Sequence, residues 1–197
     1  MKLKQFSPGG LLNLAQLCWF YALNRWRYKK LALGAIVFRP LRIDGAGNIS
    51  LSKNARVQKY SWLFAKSFDQ HPAELIIGEG CAIGDFNHIC AVRKVVFGKN
   101  VLTANRVYVS DNLHSFEDIN TPIMHQPVRF KAEVRIGDGS WLGENVCVIG
   151  ARIGRNCVIG ANAVVTSDIP DYSVAVGAPA RVIKRYDHDK KTWVKVN

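Results

Sequence analysis

Aliphatic residues recur every six positions along the middle of the chain, and that period excludes most folds. Ile77, Ile83, Ile89 and Val95 are six apart, and after a slip of two residues Phe97, Thr103 and Val109 carry the period on. It returns beyond a break at Ile136, Leu142 and Val148, and after a five-residue step at Ile153, Ile159 and Val165. Glycine often follows the aliphatic residue, at Gly78, Gly84, Gly98, Gly137, Gly143, Gly154 and Gly160. A small or branched residue often stands four places on, at Cys81, Val101, Val107, Ser140, Val146, Cys157 and Ala163. A helix needs an apolar stripe near a period of about 3.6 and a half-buried strand one of about two, so neither produces a clean six. A coil of short flat strands joined by tight corners does: each aliphatic residue points inward and its small neighbour turns the corner. Stacked coils then bury one continuous core.

Weaker coils are expected over residues 36–74, where Ile43 and Ile49 are six apart and Leu51, Val57 and Leu63 repeat the spacing. Residues 111–133 interrupt the period with Pro122, Pro127 and several turn formers, so they must leave the coil as a loop. Long loops in repeat domains are usually functional or disordered. This one carries Phe116, Ile119, Ile123, Met124 and Phe130, which favours packing against another surface. Near the N-terminus, Leu11, Leu14, Ala15, Cys18, Trp19, Ala22 and Trp26 share one helical face, and Arg25, Arg27, Lys29 and Lys30 follow. Such a helix either packs on the coil or a neighbouring subunit, or lies on an anionic membrane face. The reading divides the chain into an N-terminal helical segment (1–35), a coil domain (36–184) with its loop, and a basic tail (185–197).

The stretches from Ile136 to Val146, from Ile159 to Pro170 and from Val176 to Lys184 resemble the hexapeptide-repeat acyltransferases. They are most similar to the sugar O-acetyltransferases of polysaccharide biosynthesis and to the maltose and galactoside acetyltransferases. The resemblance spans roughly residues 75–185. It implies an all-β fold, a left-handed parallel β-helix, and a homotrimer with active sites between subunits. It also implies acetyl-CoA as co-substrate and a sugar or lipid-linked saccharide as acceptor, in the making of O-antigen, capsule or exopolysaccharide. The alternative is N-acetylation of a nucleotide-linked amino sugar.

Acetyl transfer to a hydroxyl needs a base for the hydroxyl proton, donors for the oxyanion, and a surface that holds both substrates together. Histidine suits the base role, with an unperturbed pKa of about 6.5. His114 stands where the repeat breaks into the loop, and Asp111, Glu117 and Asp118 lie near enough in sequence to orient its ring. The resemblance implies an active-site histidine at this junction, often within Asp-His-x-His. Here the run reads Asp111-Asn112-Leu113-His114, so Asn112 replaces the first histidine. His88 is the second candidate for the base. By the same resemblance Asn87 lies beside the acceptor and Trp141 lines the cofactor tunnel. Ala161, Thr166 and Arg181 contact coenzyme A. Ser167 stands where relatives often carry lysine, so one phosphate contact is expected to be weaker or to come from Lys184.

A zinc hydratase on a similar coil would need three converging histidines, two of them close in sequence. His88, His114 and His125 are 26 and 11 residues apart, which does not match, so no metal is expected. The net charge of +12 favours anionic partners, yet no nucleic-acid-binding motif is present. Five cysteines without a C-x-x-C pair suit a reducing compartment, and the apolar run from Leu11 to Leu23 is too short to span a bilayer. The chain therefore reads as cytoplasmic, with peripheral contact at the inner membrane face as an option.

Overall fold

The computed structural model describes residues 8–196, with side chains from Ala15 onward. After one helix, Pro8–Asn24, the chain winds into a left-handed parallel β-helix with three flat faces. Face one stacks Lys30–Leu31, Ile49–Leu51, Glu74–Ile77, Lys94–Phe97, Val134–Ile136 and Arg152–Ile153. Face two stacks Ile36–Val37, Arg56–Val57, Ala82–Ile83, Leu102–Thr103, Trp141–Leu142, Val158–Ile159 and Ser173–Val176. Face three stacks Arg42–Asp44, Trp62–Ala65, His88–Ala91, Tyr108–Ser110, Cys147–Ile149 and Val164–Val165.

The period of six is the length of one face with its corner. In register on face one lie Leu31, Leu51, Ile77, Phe97, Ile136 and Ile153, and on face three Ile43, Leu63, Ile89, Val109, Val148 and Val165. The six-spaced residues from Leu51 to Val165 are buried and converge on the axis as one core. Each aliphatic side chain so buried contributes about 1.5–3 kcal/mol. Corners leave no room for side chains: a Cβ on Gly78 would collide with the carbonyl of Gly98 on the coil above.

Three features depart from the sequence-based expectations. The first coil opens with Lys30–Leu31, inside the segment read as helical (1–35), because Leu31 pairs in register with Leu51. The stretch read as a basic tail is a hairpin instead: Arg181–Asp187 adds antiparallel to Ser173–Val176, and Thr192–Lys195 adds to that. The helix also buries a different face. Phe20 and Tyr21 pack on the core at the open end of the coil, the Phe20 ring against buried Tyr28, while Cys18, Trp19, Ala22 and Trp26 face solvent. The side chains of Leu11 and Leu14 lie outside the described residues.

The loop at 111–133 leaves the coil after Ser110 and returns at Val134. Its two ends pair as an antiparallel ribbon, Asn112–His114 with Val128–Phe130, in which His114 faces Val128. Phe116, Ile119, Ile123 and Met124 sit exposed at its far end. A second, shorter excursion, residues 66–73, leaves the same edge of the prism two coils earlier.

Candidate active site

Alternation on face three decides what the site is made of. Leu63, Ile89 and Val109 point inward, so Trp62, Phe64, His88, Cys90 and Tyr108 point outward. Trp62, His88 and Tyr108 stand in register on successive coils. The ribbon and the short excursion rise on either side of them. Together they enclose a cavity of about 500 Å³, lined by those five residues and by Phe68, Asn112, Leu113, His114 and Val128.

The floor is rigid and mostly aromatic. The His88 ring lies flat on Trp62 and leans on Tyr108 at 5.2 Å. The Trp62 indole N–H donates to Asp44 at 2.9 Å, which fixes the ring that supports His88. Burial lowers the pKa of His88, so its imidazole is neutral near pH 7. Burial likewise raises the pKa of the Tyr108 hydroxyl and of the Cys90 thiol, which also accepts from the Asn112 amide at 3.3 Å. Among the described residues no lysine or arginine lines the cavity.

His114 sits at the lip, on an exposed ribbon position. It shares the cavity with His88, and one further coil separates them along the chain. Among the described residues its ring makes no hydrogen bond, so the carboxylates expected to orient it are engaged elsewhere. Asp111 is fully buried and accepts from the backbone N–H groups of Val92, Arg93 and Lys94 at 2.9, 2.8 and 2.7 Å. It ties the start of the ribbon to the turn below. Glu117 accepts from the Phe116 N–H and pairs with Arg129 at 2.8 Å across the ribbon, and these contacts hold its carboxyl below the usual range. Asp118 bonds within its own turn, to Thr121 and Asn120.

Asn87 is likewise a corner residue in this chain. Its amide donates to the carbonyls of Gly84 and Ala104 and accepts from the Val107 N–H, and it is buried. No polar atom of its side chain remains for an acceptor.

Arg93 is a residue that sequence reasoning missed. Its side chain donates to Asp69 of the short excursion at 2.7 Å and lies 4.6 Å over the Phe130 ring of the ribbon. It therefore ties both walls of the cavity to each other, and no period or motif marks it.

The residues expected to hold coenzyme A lie elsewhere. Trp141 is half-exposed on the outside of face two, and Val158, Val174 and Lys184 continue in register from it. Arg181 is exposed on the same hairpin strand as Lys184. Ala161 occupies an exposed corner, and Thr166 is exposed just beyond face three. Lys131, at the foot of the ribbon, donates to the carbonyls of Ile149 and Thr166 and so joins the ribbon to the last coils. Within one chain the histidines on face three and the Trp141–Lys184 strip on face two are not brought together. Among the described residues no cluster of three metal-ligating side chains forms.

Comparison with known proteins agrees with this architecture. Residues 133–167 match the family model described as the hexapeptide repeat of succinyl-transferase. The chain carries the hexapeptide repeat of that family. It is 37% identical, over 93% of its length and 66% of the relative's, to a Mycobacterium tuberculosis protein named as a probable acetyltransferase. It is 36% identical, over 61% of its length and 65% of the relative's, to an Escherichia coli protein provisionally named a lipopolysaccharide-biosynthesis O-acetyl transferase. The chain thus spans about two-thirds of the length of these curated relatives. Among solved structures, a mutant N-acyltransferase of Bacillus cereus, in complex with dTDP and coenzyme A, superposes with a TM-score of 0.70 at 16% identity, covering 86% of this chain and 90% of that one. At that identity the likeness speaks for the fold.

Proposed function

We propose that this protein is an O-acetyltransferase that moves an acetyl group from acetyl-CoA to a sugar hydroxyl in surface polysaccharide biosynthesis. The observation that carries this reading is the cavity that joins His88 and His114 over an aromatic floor. Aromatic faces suit the apolar C–H face of a sugar ring. The acceptor, a sugar or lipid-linked saccharide, rests in the cavity against Tyr108 with one hydroxyl toward the lip. His114 takes the proton of that hydroxyl as its oxygen attacks the thioester carbonyl. The tetrahedral intermediate collapses, the C–S bond breaks, and the thiolate of coenzyme A recovers the proton from the imidazolium. His88, neutral and locked by its stack, orients the acceptor.

Coenzyme A fits the outer strip of face two. Trp141 offers a ring to stack, and Arg181 and Lys184 offer cations for phosphates. Because this strip and the histidines stand on different faces, the complete site forms between copies, in a homotrimer. No metal takes part. The cysteines described are all free, which supports a reducing, cytoplasmic setting.

The other reading is N-acetylation of a nucleotide-linked amino sugar, which the fold shared with the N-acyltransferase favours. The absence of lysine and arginine from the cavity lining speaks against a diphosphate there. Assays with acetyl-CoA, a panel of neutral glycosides and lipid-linked saccharides, and nucleotide-linked amino sugars distinguish the two. Acetylation of nucleotide amino sugars alone would overturn the O-acetyl reading.

A further inference from the structure

The N-terminal end of the prism carries a surface that the reaction does not use. Trp19, Leu23 and Trp26 follow one another at four and three residues along the helix and its following turn, and each is at least 66% exposed. Exposed Cys18 and Ala22 fill the stripe between them. Leu33 and Leu41, on corners of the first coil, are exposed at the same end. Two exposed tryptophans within eight residues are an unusual expense of apolar surface, since solvent-facing positions elsewhere on the prism are mostly polar.

Charge says what covers this surface. The first 43 residues hold eight of the 27 basic residues and none of the 15 acidic ones, and the first acid is Asp44. That segment therefore carries +8 of the net charge of +12 in under a quarter of the chain. Two of its cations are paired, Lys29 with Glu74 and Arg42 with Asp44. Arg25, Arg27, Lys30 and Arg39 have no acidic partner within 4.0 Å among the described residues, and Arg25 lies 3.9 Å over the Trp26 ring. Aromatic residues at the level of lipid headgroups, flanked by arginine and lysine, are the pattern of a helix lying in a membrane interface. No described helix is long and apolar enough to cross a membrane, so the contact is with a surface. A second copy of this chain is a poorer occupant, because it would bring the same uncompensated positive charge.

We infer that the exposed face of the N-terminal helix docks the protein on an anionic lipid surface, with Trp19, Leu23 and Trp26 inserted among the headgroups and Arg25, Arg27 and Lys30 against their phosphates. The inference does not rest on the proposed reaction, and its test needs no acetyl transfer.

The full chain is sedimented with vesicles of phosphatidylcholine alone and of phosphatidylcholine mixed with phosphatidylglycerol. Binding is expected only to the mixed vesicles, and added salt weakens it, since the Debye length shortens from about 10 Å at 0.1 M to about 3 Å at 1 M. The variant Trp19→Ser/Leu23→Ser/Trp26→Ser binds at least about tenfold more weakly, with the wild-type melting curve and oligomeric mass. If that variant does not fold, Arg25→Glu/Arg27→Glu, which leaves the apolar face intact, decides, and it loses at least about tenfold as well. Equal binding to both vesicle types overturns the inference, as does no binding to either. Undiminished binding by the variants does so too. A triple variant of altered oligomeric mass assigns the face to a contact between copies instead.

Discussion

The imidazole of His88 lies flat on the indole of Trp62, with ring centroids 4.2 Å apart and planes within 2°. Stacking of this kind holds a ring in place and keeps water from one of its faces. Trp62→Ala should free His88, raise its pKa toward the ordinary value as water enters, and raise KM for the acceptor. Titration of His88 by NMR checks the first effect, and steady-state kinetics the second. A His88 pKa that does not move would mean that burial by other groups governs it.

The same burial has a stability consequence. The pKa of His88 is lower in the folded state, so the unfolded chain binds more protons between the two values. The stability it contributes is present above the unfolded pKa of about 6.5 and is lost as pH falls through the folded value. His88→Phe, which keeps an aromatic ring on Trp62, should show a shallower fall in Tm below pH ~6.5 than wild type. Parallel melting scans across that range read the difference.

His114→Ala should lower kcat by about 10²–10⁴-fold with little change in acetyl-CoA affinity, since the base acts on the acceptor proton. Loss of activity in His88→Ala with full activity in His114→Ala would move the base one coil down, to the floor of the cavity.

Asp111 accepts three backbone N–H groups while fully buried. Asp111→Ala should therefore destabilise the fold by about 3 kcal/mol or more, because charged hydrogen bonds are lost and donors are left unpaired. Denaturant unfolding measures it. A variant of wild-type stability with no activity would instead return Asp111 to the role of orienting His114.

Arg93→Ala should leave stability within about 1 kcal/mol, since its ion pair with Asp69 remains partly open to solvent. It should raise KM for the acceptor and leave acetyl-CoA affinity unchanged, because the residue holds the cavity walls and touches neither substrate. Calorimetry with coenzyme A and acceptor kinetics separate these effects.

A site shared between copies makes a sharper test. His114→Ala and Trp141→Ala/Lys184→Ala should each be nearly inactive alone. Mixed and reassembled, they should regain activity, since some interfaces then pair an intact face three with an intact face two. Light scattering should report a trimer. No recovery on mixing would mean that one chain supplies the whole site.

The coil could be read from the order of the amino acids alone. Every aliphatic residue from Ile77 to Val165 that recurs at six is an inward position, because packing against the axis imposes a strict period on the residues that take part. The loop at 111–133 was legible for the converse reason, since prolines and turn formers cannot keep that period. Outward side chains carry no such constraint. That His88 and His114, 26 residues apart, line one cavity follows only from the stacking of coils and the folding back of the ribbon. Side-chain hydrogen bonding was hidden for a related reason. Asp111 and Asn87 look free in the sequence, yet backbone N–H groups satisfy the first, and backbone carbonyls and an N–H the second. The helix shows the same limit: its spacing marked an apolar stripe, but the end of the coil accepted Phe20 and Tyr21 and left the tryptophans to solvent. A local period records which residues can share a face, whereas burial depends on what the rest of the chain places against that face.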